Sequence, residues 1–369
     1  MSSGESKNAK KGLNTGHKLG LAILIILAVL AITAVAVYRS LVVKPELPVH
    51  NNVPERPPVT ETDPAEERPT SAPDEPVAVI NQRKSKDFYT ILVAGTDTTS
   101  ASTDTIMLVS YDVTHQRATV MSIPRDMLVN AFGTERHTRI NTIYAAYGRG
   151  ERGMDALTAE VSKLVGFTPD YRVFISWELV GQMVDAIGGV EFDVPFHMEY
   201  DDPAQDLHIY VEKGLQTLDG ETAMQVVRWR KNNAGVSSGG GTGSDLDRVR
   251  VQQGFLKAVL KQTLQIQNVT RINALAELFS NHVEGDLTLE NLLWFATQAI
   301  FGGLSVDAVE FTVMPWKAAN PYVYPDQEKL LELINTKLNP YTADVTPDHL
   351  NLIYFDDEGN LCATGNTEN

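Results

Sequence analysis

The chain predicts an α/β or α+β sandwich of one domain, held outside a membrane by a single N-terminal helix. Three features predict it. From about Phe88, β-rich runs alternate with stretches whose apolar residues recur at helical spacing. Hydrophobic residues make up 43% of the 369 positions, an ordinary share for a globular core. An uncharged apolar run, Leu19 to Tyr38, precedes all of this.

That run is long enough to cross a bilayer as a helix. Lys7, Lys10, Lys11 and His17-Lys18 come before it, so the positive-inside rule puts residues 1–18 in the cytoplasm and the body outside. Ala34-Val-Ala36 resembles a signal-peptide cleavage site, but signal-peptide apolar cores are shorter, roughly 7–15 residues, which favours an uncleaved anchor in the cell membrane. Residues 39–86 follow as a stalk. Within them Pro45 to Pro76 is rich in Pro, Glu, Asp and Thr, and buries too little to offset its ordering entropy.

The folded body is expected over residues 87–316, with 317–369 as a C-terminal extension. Phe88–Ala94, Thr105–Tyr111 and Arg117–Ile123 read as strands, the last two joined by a turn at Asp112–Gln116. Met154–Val165 reads as a helix stopped by Gly166, Tyr171–Ile175 as a strand, and Trp177–Ile187 as a helix stopped by Gly188-Gly189. Val190–Val194 is a short strand ended by Pro195. Asp219 caps a helix through Val227, and Ser244 or Asp245 caps a longer one through about Leu264. Gly235 to Gly243 is a glycine- and serine-rich loop without the Gly-Lys-Ser/Thr ending of a P-loop.

Charge narrows the function. The chain carries a net −16, yet arginines gather in short motifs: Arg125, Arg228 with Arg230, and Arg248 with Arg250. A guanidinium fork fits phosphate two bonds at a time, so the pattern suits one concentrated anion in a pocket. Nucleic acid would call for a broad basic surface, which this acidic body lacks. The lone Cys362 excludes an internal disulfide framework and a thiolate zinc site, the scattered histidines lack HExxH spacing, and no Gly-x-Ser-x-Gly elbow occurs.

Asp97 and Asp104 flank strand ends and can hold Mg²⁺ whose shell phosphate oxygens complete; equally, they can be turn and strand-end residues. Arg125 follows Pro124 and can bind a ligand or pair with Asp126. Arg228 and Arg230 reach one ligand only if their helix ends near Val227 and the chain extends, because residues two apart on a helix face opposite ways. Arg248 lies in the first turn of its helix, with Gln252 one turn on. The alternative for that pair is a solvated polar face.

Together these motifs resemble the LytR-CpsA-Psr (LCP) family of Gram-positive envelope proteins. The resemblance rests on Thr103-Asp-Thr-Ile-Met-Leu-Val109, Ser122-Ile-Pro-Arg-Asp126, Arg139-Ile-Asn141, Val184-Asp-Ala-Ile-Gly-Gly-Val190, Leu218-Asp-Gly-Glu221 with Arg228-Trp-Arg230, and Asp245-Leu-Asp-Arg248 with Gln252-Gln253. It covers about Phe88 to Leu264 most strongly and continues to about Trp316. It implies a single mixed-sheet α/β/α sandwich and a phosphotransferase that moves a glycopolymer from a polyprenyl-pyrophosphate carrier onto a peptidoglycan hydroxyl. Asp97 and Asp104 would hold Mg²⁺ and, with Arg125, form the catalytic set. Arg125, Arg228, Arg230, Arg248 and Gln252 would bind the pyrophosphate, beside an apolar groove for the lipid. Hydrolysis of the same pyrophosphate is one alternative; a non-catalytic envelope scaffold or regulator binding polyprenyl lipids is another. The chain departs from the family pattern in its short Asp97–Asp104 loop without arginines, in Arg139 where lysine is common, and in Val251 in place of an arginine.

Overall fold

Alternating apolar residues drive the first three strands into an antiparallel meander. β1 (Phe88–Thr96) pairs with β2 (Thr103–Asp112) from Phe88↔Asp112 onward, and β2 pairs with β3 (Arg117–Ile123) from Ile106↔Ile123 to Asp112↔Arg117. The computed structural model describes residues 42–50, 82–96, 103–131, 138–203, 207–241, 245–264, 278, 283–319, 322–356 and 358–364. The apolar run 19–38, the Asp97–Asp104 loop through residue 102, and Asp97 itself lie outside these. Among the described residues no helix is long and apolar enough to cross a membrane.

Helix α1 (Gly150–Val165) ends where Gly166 adopts φ +77°, a left-handed cap that a side chain would resist. β4 (Tyr171–Ser176) then pairs parallel with β1, and the Ser176 side chain accepts from the Leu179 N–H to cap α2 (Trp177–Ala186). β5 (Val190–Val194) pairs antiparallel with β6 (Gly214–Leu218). Asp219 caps α3 (Gly220–Arg228) by accepting from the Thr222 N–H, and the long α4 (Asp245–Thr263) follows. β7 (Val283–Gly285) leads to α5 (Leu289–Gly302), which begins at a Thr288/Asn291 capping box. β8 (Val309–Val313) pairs parallel with β3, and β9 (Trp316–Ala319), β10 (Tyr322–Pro325) and α6 (Gln327–Leu333) come after it.

The central sheet has the order β7-β4-β1-β2-β3-β8. β1, β3, β4 and β8 all run one way, so their carboxyl ends share one edge, and the start of the oppositely directed β2 joins them. In open α/β sheets that edge is where ligands bind. One face of the sheet (Leu92, Ala94, Ile106, Leu108, Met121, Ile123) packs on Met154, Leu157, Val161 and Leu164 of α1. The other face looks toward α4 and α5. A second core around Phe192, Trp229 and Phe255 joins α2, α3 and the β5–β6 pair to α4.

Two boundaries differ from the sequence expectation. Leu330, Ile334, Leu338, Tyr341, Val345, Leu350 and Leu352 are buried in the same core as α1, so the chain beyond residue 316 is part of the domain through at least Leu352. At the other end, residues 42–50, expected to belong to the stalk, lie along the domain, with Pro45 buried and Val43 hydrogen-bonded to Glu290. Local composition underrates such segments because their partners are distant in sequence.

Candidate active site

The site is assembled at the carboxyl edge of the sheet. Asp104 is the second residue of β2, and Arg125 follows Pro124 just past β3 in a turn closed by Met127 N–H donating to Pro124 O (3.0 Å). Arg125 Nη1 donates to Asp104 Oδ1 at 3.0 Å, and its Nε lies 3.6 Å from Asp126 Oδ2. Arg139 Nη1 donates to the other oxygen of Asp126 at 3.1 Å. The Arg125 side chain is only 15% exposed, so this alternation of charges orients it in a partly desolvated place. The ion-pair reading and the ligand reading of Arg125 are therefore compatible: the pair aims the group.

Helix α4 brings the second cluster. Arg248 is buried in its first turn, and Gln252, one turn on, donates from Nε2 to Val227 O (3.2 Å) and accepts from Thr105 Oγ1 (3.4 Å). The solvated-face reading of this pair does not hold. The next residue, Gln253, donates to Ser122 Oγ (3.0 Å) and Thr312 O (2.8 Å), pinning α4 over β3 and β8. Arg250 faces the other way: its side chain is 76% exposed and lies 3.9 Å from Asp247. Val251 is buried in the core with Trp229 and Phe255, so this position is a packing position here.

Arg228 is the last residue of α3, and at Trp229 (φ −61°, ψ 138°) the chain leaves the helix extended. Trp229 is fully buried and donates from Nε1 to Asn232 Oδ1 at 2.8 Å, so Arg228 and Arg230 flank a fixed indole. Arg228 is half-buried and Arg230 exposed. Neither lines the cavity described next, although Val227, beside Arg228, does.

A cavity of about 510 Å³ separates the sheet from α4 and α5. Asp104, Thr105, Ser122, Arg125, Arg248 and Gln252 form its polar end. The remainder is apolar, walled by Val93, Met107 and Val109 from the sheet, Leu256 and Leu260 from α4, and Phe295 and Ala299 from α5. Its size is that of a small-molecule site. The arrangement suits a ligand that is anionic at one end and a hydrocarbon along the rest. The sequence reading named Asp104, Arg125, Arg248 and Gln252 but none of the wall. A signal for the wall does exist, since Leu292-Leu-Trp-Phe-Ala296 makes that turn of α5 apolar all round, as a helix covered on both sides is.

Among the described residues no group of three or more His, Cys, Asp or Glu side chains is arranged to hold a metal. Mg²⁺ does not require such a group, because one or two carboxylates suffice when phosphate oxygens and water complete the octahedron. Asp104, which gives one oxygen to Arg125 and has a second, fits that donor chemistry at the polar end.

Comparison with known proteins gives a consistent picture. The chain is 28% identical over 253 residues to the polyisoprenyl-teichoic acid--peptidoglycan teichoic acid transferase TagV of Bacillus subtilis, covering 66% of this chain and 61% of TagV. It is 24% identical to TagU of Halalkalibacterium halodurans, which bears the same transferase description, over 66% of this chain and 76% of that protein. The regulatory protein MsrR of Staphylococcus aureus is 25% identical over 63% of this chain and 66% of its own length. The crystal structure of B. subtilis TagV shares the fold at a TM-score of 0.56 and 24% identity, covering 70% of this chain and 100% of that one. An Actinomyces oris LytR-Csp2A-Psr enzyme does so at 0.55 and 22%, covering 69% and 90%. The LytR_cpsA_psr family profile matches residues 59–339, and the chain belongs to that family.

Proposed function

We propose that this protein is a membrane-anchored, Mg²⁺-dependent phosphotransferase that moves a glycopolymer from a polyprenyl-pyrophosphate carrier onto peptidoglycan outside the cell. The observation that carries this reading is the two-part cavity, in which a buried arginine, a second arginine held by Asp104 and a glutamine end a long apolar channel. A diphosphate on a polyprenyl tail is the ligand class that has both chemistries. The relatives named as polyisoprenyl-teichoic acid--peptidoglycan transferases support the same class of reaction.

In this reading Arg125, Arg248 and Gln252 grip the pyrophosphate, with Arg228 and Arg230 adding charge from the end of α3. Asp97 and Asp104 would hold Mg²⁺, which supplies further neutralisation of the phosphate oxygens. The acceptor hydroxyl oxygen bonds to the phosphorus that carries the glycan, the bridging P–O bond breaks, and polyprenyl phosphate leaves. The hydroxyl proton passes to a carboxylate, Asp97 or Asp104. Phosphoryl transfer asks chiefly for positioning and charge stabilisation, which an arginine cradle at the end of a water-poor channel provides.

The test incubates the full chain in detergent with a synthetic lipid-pyrophosphate glycan, Mg²⁺ and peptidoglycan fragments, then identifies products by mass. Phosphoglycan joined to peptidoglycan is the expected product. Free phosphoglycan formed equally without peptidoglycan would make the protein a pyrophosphate hydrolase. Donor bound and left intact would make it the scaffold or regulator that the name of MsrR suggests for that relative.

A further inference from the structure

The segment 42–50 docks at the end of the sheet opposite the arginines. Val43 N–H donates to Glu290 O (3.2 Å) and Asn291 Nδ2 donates back to Val43 O (3.0 Å), which ties the segment to the start of α5. Lys44 pairs with Asp87, just ahead of β1, and its ammonium lies 5.7 Å from the centre of the Trp294 ring. The hydrogen bond to Asp87 raises the Lys44 pKa, so the lysine stays charged there. Tyr171, the first residue of β4, donates its hydroxyl to Glu46 O. Every one of these partners belongs to the amino-terminal ends of β1 and β4 or to α5.

Helix α5 crosses that same end. Phe295 packs edge-on against Tyr89 of β1 (5.1 Å between ring centres) and lies 6.3 Å from Tyr111 of β2. Beyond the last turn, Leu304 clusters with Val309 at the start of β8 and with Val120 midway along β3. Phe301, in the last turn, is 67% exposed. Tyr111 is seven positions along β2 from Asp104, a rise of about 23 Å from this apolar floor to the polar end. Val43 is only five positions beyond Tyr38, the end of the apolar run. Even fully extended that stretch spans about 17 Å.

We infer that residues 42–50 are a strap that orients the domain on the outer leaflet, with α5 and the apolar floor of the cavity toward the lipid and the arginine end toward the wall. The inference rests on the proposed membrane span and deepens the proposed function. A carrier tail would enter from the bilayer side and present its diphosphate about 23 Å higher, where a bulky acceptor has access. A flexible stalk alone would leave the domain free to tumble. A strap that begins within five residues of the span does not.

The experiment uses the full chain with Cys362→Ser and a single dye at Phe301→Cys or at Lys317→Cys, in vesicles carrying an energy-transfer acceptor on their headgroups. Lys317 is exposed and lies in β9, just past the carboxyl end of β8, hence at the polar end. Transfer from position 301 should exceed that from 317 several-fold. Lys44→Glu, which sets a carboxylate against Asp87, and separately Tyr171→Phe, which removes the hydroxyl that donates to Glu46 O, should each shrink that difference while the thermal midpoint in detergent stays put. Equal transfer from the two positions, including none from either, overturns the inference, as does a difference that both strap variants leave intact. The detergent assay of the preceding section reads function independently. A chain inactive there that keeps the 301-over-317 difference refutes the transferase and leaves the strap standing, whereas the reverse result refutes only the strap.

Discussion

The two faces of the central sheet are made from alternate residues of the same strands, yet they do opposite things. Toward α1 and the C-terminal segment, Leu92, Ile106, Leu108 and Met121 are fully packed. Toward α4 and α5, Val93, Met107 and Val109 border open space. The strand period of two puts neighbouring residues into these two environments. The filled core is thus concentrated on one face and the cavity on the other, and a chain can hold an apolar cavity when the opposite face carries the core.

Adjacent positions on β2 give the most direct way to break this comparison. Leu108→Ala should cost about 2–5 kcal/mol, as a large-to-small change in a filled core does. Met107→Ala, next to it but lining the cavity, should cost well under half as much; urea unfolding of both variants decides, and equal costs would remove the distinction. Next in size is Arg125→Ala, which should slow glycan transfer by about 10²–10³-fold with little change in melting temperature, since one preorganised charged donor is lost. A simultaneous collapse of the thermal transition would show that Arg125 serves the fold instead.

Ala296→Phe sharpens the comparison from the cavity side. Filling the channel should raise KM for the lipid donor about tenfold, equivalent to ~1.4 kcal/mol, while leaving stability unchanged or slightly higher. A KM unchanged by the added ring would argue that the tail binds elsewhere. The smallest effect belongs to neither face. Asp219 caps α3 and its carboxyl is held below the ordinary 3.8 by the Thr222 N–H. A group with a depressed folded-state pKa stabilises above its unfolded value and loses that contribution as pH falls through the folded one. Asp219→Ala should therefore cost about 1 kcal/mol at neutral pH. That cost should shrink as pH drops below 3.8, as read by thermal melts across pH.

Much of the frame was readable beforehand where signals are local. The alternation in Ile106 to Val109, the stop at Gly166 and the cap at Asp219 each act within a few residues, so β2, α1 and α3 were found nearly in place. Beyond Leu264 local signals are weaker. β8 is five residues long and pairs with β3 nearly two hundred positions away, and α5 interrupts its polar side, Glu290, Asn291, Thr297 and Gln298, with Trp294 and Phe301. The burial of residues 330–352 was missed for the same reason, because a segment's worth depends on what it covers.

The chemical inventory is the sequence's own contribution: Asp104, Arg125, Arg248 and Gln252 in their motifs, the arginine pair around Trp229, and the family those motifs imply. Their meeting at one end of an apolar channel was decided only in three dimensions. The shared direction of β1, β3, β4 and β8 gathers distant carboxyl ends on one edge, and Gln252 and Gln253 seat α4 above them. Side-chain identity is a local property, whereas convergence depends on strand direction and packing, which arise only when distant segments exclude water together.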